Sequence, residues 1–321
     1  MPDRRTVLRS ATAAVLAGAL PKGRLHAQGT GPVVLVTGTS SGFGRLTAES
    51  FARAGYRTVA TMRNVGGENA EAARALGHMA RAEGLELTVI DIDVSDDASV
   101  AEGHARAAAQ VGPVEILVSN AGVGIPLPAA LSMEATREVM ETNFYGGLRM
   151  AHAVLPAMRE RERGLLIQVT SALGRYTLPL YGAYCASKHA LEAAFTALAY
   201  EMHPFGIETT IVQPGGYDTR FKENAARDVA RYRDRIPPER QAPYADHLDA
   251  VGNILANTPT PPPQQIADAI LAVAEMPRGA RPRHVAEGPG MSDLPPLNDR
   301  LREVTEQSTR NYLRRPGWIT L

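Results

Sequence analysis

The chain has 321 residues, 44% of them apolar and 21% charged, enough for a sizeable core. Its 34 Lys and Arg balance 34 Asp and Glu, which excludes the basic excess of a nucleic-acid or anionic-membrane binder. The only cysteine, Cys185, excludes an intrachain disulfide; the eight histidines are scattered and no CxxC is present, so no metal is expected.

Residues 1–30 read as an export signal. Arg4 and Arg5 make a basic start, and an uncharged stretch from Ser10 to Leu20 follows. That stretch is too short for a bilayer span, which takes about 20 residues. Asp3-Arg4-Arg5-Thr6-Val7-Leu8-Arg9 resembles a twin-arginine signal, although Leu25 weakens the cleavage site before Gln28. The expected location is periplasmic, or cytoplasmic if the signal is not used.

From Gly31 onward strands and helices alternate. Val33 to Thr37 is a continuous apolar run, as in a strand buried on both faces. A glycine-rich turn follows, then a helix from about Phe43 to Ala54, closed by Gly55. Strands are expected at Arg57–Met62, Leu87–Ile92, Ile116–Ser119, Leu165–Thr170 and Ile207–Gln213. Helices are expected at Asn69–Glu83, Asp97–Gln110, about Ser132–Arg161 and about Tyr181–His203. This order implies an α/β fold, a doubly wound parallel sheet of the Rossmann type. One catalytic domain over residues 31–290 is expected. Within it, a substrate lid at about 216–258 is polar and arginine-rich, which counts against a purely lipid pocket. After the TPTPPP stretch, Gln264 to Glu275 has helical spacing, and the tail from 291 to 321, rich in Pro and Arg, is expected to be irregular.

Two motifs carry chemistry. Thr37-Gly38-Thr39-Ser40-Ser41-Gly42-Phe43-Gly44 joins the first strand to the first helix. Glycines there let backbone approach a phosphate, and the helix N-terminus stabilises its charge. The spacing is not GxGxxG. In Tyr184-Cys185-Ala186-Ser187-Lys188, the i, i+4 spacing puts Tyr184 and Lys188 on one helix face. A free tyrosine has a pKa near 10, and a neighbouring cation lowers it toward a usable general acid and base.

Together with Asn120-Ala121-Gly122, Asn143, Ser171 and Pro214-Gly215 followed by Thr219, these motifs resemble the short-chain dehydrogenase/reductase family over roughly Val33 to Thr219. The stretch YGAYCASKHALEAAF looks most like members acting on steroids and retinoids. The resemblance implies an oxidoreductase interconverting a hydroxyl and a carbonyl. Tyr184 would exchange the proton, Ser171 orient the substrate oxygen, Lys188 tune Tyr184 and hold the nicotinamide ribose, and Asn143 position a water. Gly38, Ser40, Ser41, Gly42, Phe43, Gly44, Asp93, Val94, Asn120, Ala121, Gly122, Pro214, Gly215 and Thr219 would line the cofactor, with Tyr184 and Lys188. No acid lies between Arg57 and Gly67, and Arg63 is available for a 2′-phosphate, so the expected cofactor is NADP(H). The alternative is a catalytically silent NADP(H)-binding regulatory protein, against which the intact Asn143, Ser171, Tyr184 and Lys188 set counts. A homodimer or homotetramer is implied, with Leu191, Phe195 and Leu198 continuing the apolar spacing past the active-site face. Expected partners are a small-molecule alcohol or carbonyl substrate, with no nucleic acid and no stable membrane insertion.

Overall fold

In the computed structural model, residues 31–256, 260–314 and 316–318 are described. Residues 1–30, on which the export-signal reading falls, lie outside them.

Strand β1 (Val33–Thr37) has every residue fully buried. Its side chains alternate between two cores, as period-two geometry requires. Val34 and Val36 pack with Ala48 and Phe51 of α1 (Gly42–Arg53) and with Ile266 and Ile270 of a later helix. Val33 and Leu35 face the other core, with Met150, Val154, Leu191 and Phe195. Each such side chain contributes about 1.5–3 kcal/mol on leaving water.

The chain continues through β2 (Arg57–Met62), α2 (Ala70–Glu83), β3 (Leu87–Asp91), α3 (Asp97–Gln110) and β4 (Ile116–Ser119). Asp96 caps α3, accepting from the Ser99 N–H at 2.6 Å, and Gly84 ends α2 in the left-handed region. The long helical region runs unbroken, as expected, through α4 (Met133–Met140), a π turn (Glu141–Tyr145) and α5 (Gly146–Glu160). Then come β5 (Gly164–Val169), α6 (Gly182–Met202) and β6 (Ile207–Pro214). The sheet order is β3-β2-β1-β4-β5-β6-β7, with every neighbouring pair parallel. It is the doubly wound sheet expected, with the direction of winding reversing between β1 and β4.

Three expectations fail. The lid region forms α7 (Arg220–Arg233), a single turn α8 (Pro238–Gln241) and α9 (Ala245–Leu255). Its inner side is apolar: Phe221, Val229, Tyr232, Ile236, Leu248 and Val251 join one cluster with Tyr181 and Tyr184. The arginines that dominate its composition are instead turned outward, Arg231 and Arg235 onto Glu138 and Glu134 of α4.

After α10 (Gln264–Glu275) a seventh strand, β7 (His284–Glu287), pairs with β6, and the tail is not irregular, for it forms α11 (Leu294–Ser308). Pro295 and Pro296 lie in the first turn of α11, where a missing N–H costs no helical bond. Finally, Leu191, Phe195 and Leu198 are buried in the chain's own core, so their spacing is no argument for assembly. Among the described residues no helix is long and apolar enough to cross a membrane.

Candidate active site

A cleft of about 750 Å³ opens over the C-terminal ends of the strands. This is where open α/β sheets bind ligands.

Its first part is the glycine loop. Gly38 has φ +71, and a Cβ there would meet the Ala121 backbone at 2.8 Å. Gly44 is tighter still, with Gly38 O at 2.3 Å and Asn120 Nδ2 at 2.5 Å from an added Cβ. Two side chains hold the loop to β4. The Thr37 hydroxyl accepts from the Asn120 and Ala121 N–H groups at 2.9 and 3.0 Å. Asn120 Nδ2 donates to Thr37 O at 2.9 Å.

Helix α1 then begins with no acidic residue in its first turn and no side-chain cap from Ser41. Its first N–H groups are thus left for an anion, and the helix dipole favours one there. A close backbone approach and an uncapped helix N-terminus fit a dinucleotide pyrophosphate.

Of the expected cofactor residues, Gly38, Ser40, Ser41, Gly42 and Phe43 line the cleft at this end, with Arg63, Asp93 and Val94 beyond. Asn120, Ala121 and Gly122 form its floor, and Pro214, Gly215 and Thr219 the far wall. Gly44 is not in the lining, because it is the packing point behind Gly38. Thr219 caps α7 and lies 3.4 Å from where a Gly42 Cβ would be, joining the lid to the glycine loop. Asp93 is partly committed: its Oδ1 accepts from both the N–H and the hydroxyl of Ser95, at 2.9 and 2.6 Å.

The second part gathers Ser171, Tyr184 and Lys188. Ser171 follows the end of β5 and caps a short turn, its hydroxyl accepting from the Leu173 N–H at 3.1 Å. Tyr184 is 8% exposed. Burial pushes its hydroxyl above the ordinary tyrosine range, and a hydrogen bond with Ser171 draws it partly back. Lys188 Nζ lies 5.6 Å from the Tyr184 ring centroid and donates to Val169 O at 3.2 Å. Burial pushes Lys188 down to about 8, against the opposing charge of Glu192. On Tyr184 the lowering influence is the Ser171 hydrogen bond, and burial outweighs it.

Asn143 sits in the π turn, a distortion that often marks functional positions. Its amide closes a ring with Val123, accepting from the N–H at 2.8 Å and donating to the carbonyl at 2.9 Å. It also donates to Ser187 Oγ at 2.9 Å. It lies behind the cleft lining, yet Asn143 Oδ1 and Lys188 Nζ converge on Gly122, 3.1 and 3.6 Å from its Cβ position.

Sequence reasoning missed the apolar wall of the cleft. Leu173, Tyr176, Leu178, Tyr181, Phe221 and Ile254 line the cleft beside Tyr184. The Phe221 ring stands edge-on to Tyr184, centroids 5.8 Å apart. The signal was present in the helical spacing of Phe221, Ala225, Val229 and Tyr232, masked by the arginines between them.

Fold and cleft together define an α/β protein with a dinucleotide-type site at the sheet's switch point. Residues 32–230 match the short chain dehydrogenase family, and the chain belongs to that family. It is 37% identical over 199 residues to a 3-ketodihydrosphingosine reductase of Bacteroides thetaiotaomicron, covering 60% of this chain and 66% of that one. It is 38% identical over 201 residues to retinol dehydrogenase 8 of Bos taurus, covering 61% and 62%. The chain thus spans just under two thirds of the length of these relatives. Among solved structures, an actinorhodin polyketide ketoreductase with NADPH is 27% identical with a TM-score of 0.67, covering 84% of this chain and 100% of that one. A Burkholderia phymatum short chain dehydrogenase/reductase in complex with NAD is 23% identical with a TM-score of 0.69, covering 88% and 96%, and speaks for the fold.

Proposed function

We propose that this protein is an NADP(H)-dependent oxidoreductase interconverting a hydroxyl and a carbonyl, with Tyr184 as general acid and base. The observation that carries the reading is the meeting of Ser171, Tyr184 and Lys188 at one end of a cleft whose other end is an uncapped helix N-terminus.

Bound NADP(H) supplies or accepts the hydride. The chain supplies the rest. The glycine loop and α1 would hold the pyrophosphate, and Lys188 would hold the nicotinamide ribose. Ser171 orients the substrate oxygen, and Tyr184 gives it a proton in reduction. A tyrosine raised above its ordinary range stays protonated at neutral pH, which suits it to donate. Asn143 has a second lone pair on Oδ1, beside Lys188, where a water can carry protons inward.

Two observations favour NADP(H) over NAD(H). Arg63 lines the cleft, exposed, and makes no ion pair among the described residues. The acids near it are engaged: Asp91 accepts from the Asn64 and Val65 N–H groups, Glu68 pairs with Arg227 at 3.6 Å, and Asp228, which Arg63 also influences, pairs with Arg231 at 3.2 Å. The exposed Arg63 guanidinium would grip a 2′-phosphate with paired, charge-assisted bonds.

The aromatic and aliphatic wall over Tyr184 favours a bulky apolar substrate, in keeping with the sphingoid and retinoid names of the relatives. The test is NADPH consumption with long-chain and cyclic ketones and aldehydes. Tyr184→Phe should lower kcat by roughly 10²–10⁴, the usual worth of a general acid, with NADPH binding nearly intact. Less than a fivefold loss would remove Tyr184 from the role. Tight NADPH binding with no turnover of any substrate would leave the silent alternative standing.

A further inference from the structure

The face of α6 that carries Tyr184 and Lys188 continues one turn further to Glu192. Glu192 is 1% exposed. A carboxylate buried so completely needs partners to stay charged. It finds them on three other parts of the fold.

Oε1 accepts from the Thr170 hydroxyl at 2.6 Å and from the Gln213 amide of β6 at 2.9 Å. Oε2 faces Arg175 at 2.8 Å and His284 Nε2 of β7 at 3.4 Å. Arg175 itself meets His284 at 2.8 Å. Gln213 exchanges hydrogen bonds with Asn298 of α11, at 2.7 and 3.3 Å. Burial alone would raise the Glu192 carboxyl; His284, Arg175 and Thr170 together hold it below the ordinary range.

Two of these partners flank Ser171 in the chain. Thr170 immediately precedes it, and Arg175 ends the short turn that it opens. A single carboxylate therefore grips both arms of that turn. The packing between them is close: a Cβ on Gly174 would lie 2.9 Å from Glu192 Cγ and 3.2 Å from Lys188 O.

We propose that Glu192 is a positioning residue of this site, clamping both arms of the Ser171 turn onto the helix face that bears Tyr184 and Lys188. The inference rests on the roles given above to Ser171, Tyr184 and Lys188. The clamp sets where the Ser171 hydroxyl stands relative to the Tyr184 hydroxyl. Its charge also acts on the amine one turn away, opposing the burial that lowers Lys188. The other titratable or charged groups facing the pair are Tyr184 on α6, Arg175 on the turn and His284 on β7.

The test compares the full chain with Glu192→Gln, Arg175→Met, the double variant and Tyr184→Phe, on a ketone that the parent reduces. Glu192→Gln should lower kcat by roughly 10- to 100-fold, the scale of a reacting group misplaced by about 1 Å. The NADPH Kd should change by less than about threefold, because no cofactor contact is lost. The alkaline limb of the reductive kcat should move to lower pH, and Glu192→Asp, which keeps the charge, should restore the limb. Arg175→Met should also lower kcat, and the double variant should be no slower than Glu192→Gln, as for two residues acting as one unit. A merely structural role predicts a lower melting temperature with kcat and pH limb unchanged, and that result overturns the proposal. If Glu192→Gln does not fold, Arg175→Met decides: kcat within about twofold of the parent overturns it, and a larger loss with unchanged NADPH Kd supports it. Full activity in Tyr184→Phe would instead break the functional reading on which the clamp depends.

Discussion

The floor of the cleft and its cover are held by different forces. The floor is backbone packed on backbone, with Gly44 against the Gly38 carbonyl and the loop tied to β4 by the Thr37 hydroxyl and the Asn120 amide. The cover, α7 to α9, is held by an apolar face and by ion pairs such as Arg227–Glu68, whose side chains are both more than half exposed. Exposed pairs of that kind contribute about 0–1 kcal/mol each. The floor thus rests on close backbone contacts, and the cover on side-chain packing.

Among the effects on binding, the two largest are expected at the glycine-loop end of the cleft. Gly44→Ala forces a carbon into the Gly38 carbonyl. NADPH binding should weaken by roughly 5- to 150-fold, since overpacking of this kind costs ~1–3 kcal/mol. Unchanged affinity in a fluorescence titration would show that the floor has more play than the packing allows. Arg63→Ala should weaken NADPH roughly 10- to 150-fold and leave NADH alone, the worth of ~1.5–3 kcal/mol for bonds to a charged group. Equal NADPH and NADH affinities in the parent would end the NADP(H) assignment.

The pH profile tests the junction of the two regions. Lys188, lowered to about 8, is charged below that value and neutral above it. Reductive kcat should hold steady from neutrality up to about pH 8 and fall roughly tenfold per unit beyond it. A flat profile to pH 10 would show that the charge on Lys188 is not used. The smallest effect belongs to the cover. Phe221→Ala should raise KM for an apolar ketone by roughly 5- to 30-fold, the value of ~1–2 kcal/mol of apolar contact, with NADPH affinity unchanged. A matching loss of NADPH affinity would mean that floor and cover act as one body.

The same division governs what could be read from the sequence. Strands β1 to β6 and the helices between them follow from apolar runs and 3.6-residue periods, because elements buried in a parallel sheet leave continuous signals. Asp97–Gln110 and Ile116–Ser119 fall where their patterns put them. Beyond Pro214 the signals weaken for physical reasons. β7 is four residues long, set after an Arg- and Pro-rich stretch, and is stabilised by pairing with β6 rather than by its own pattern. α11 was hidden by prolines that a first turn tolerates. The cleft was legible through Gly38, Asn120 and Tyr184. Glu192 was not, since its partners Arg175, Gln213 and His284 meet it only in space.

The order in which the chain is synthesised gives the contact between Gln213 and Asn298 a further meaning. Ser171, Tyr184 and Glu192 all leave the ribosome well before β7 and α11. At roughly 5–20 residues per second, several seconds separate Glu192 from Asn298. During that interval β6 is an open sheet edge and the Gln213 amide lacks the partner that later buries it. An open edge is a template for strands of other chains. A nascent chain paused between β6 and β7 would thus carry a finished glycine loop beside an unfinished sheet, which makes that pause the moment of greatest exposure to mispairing.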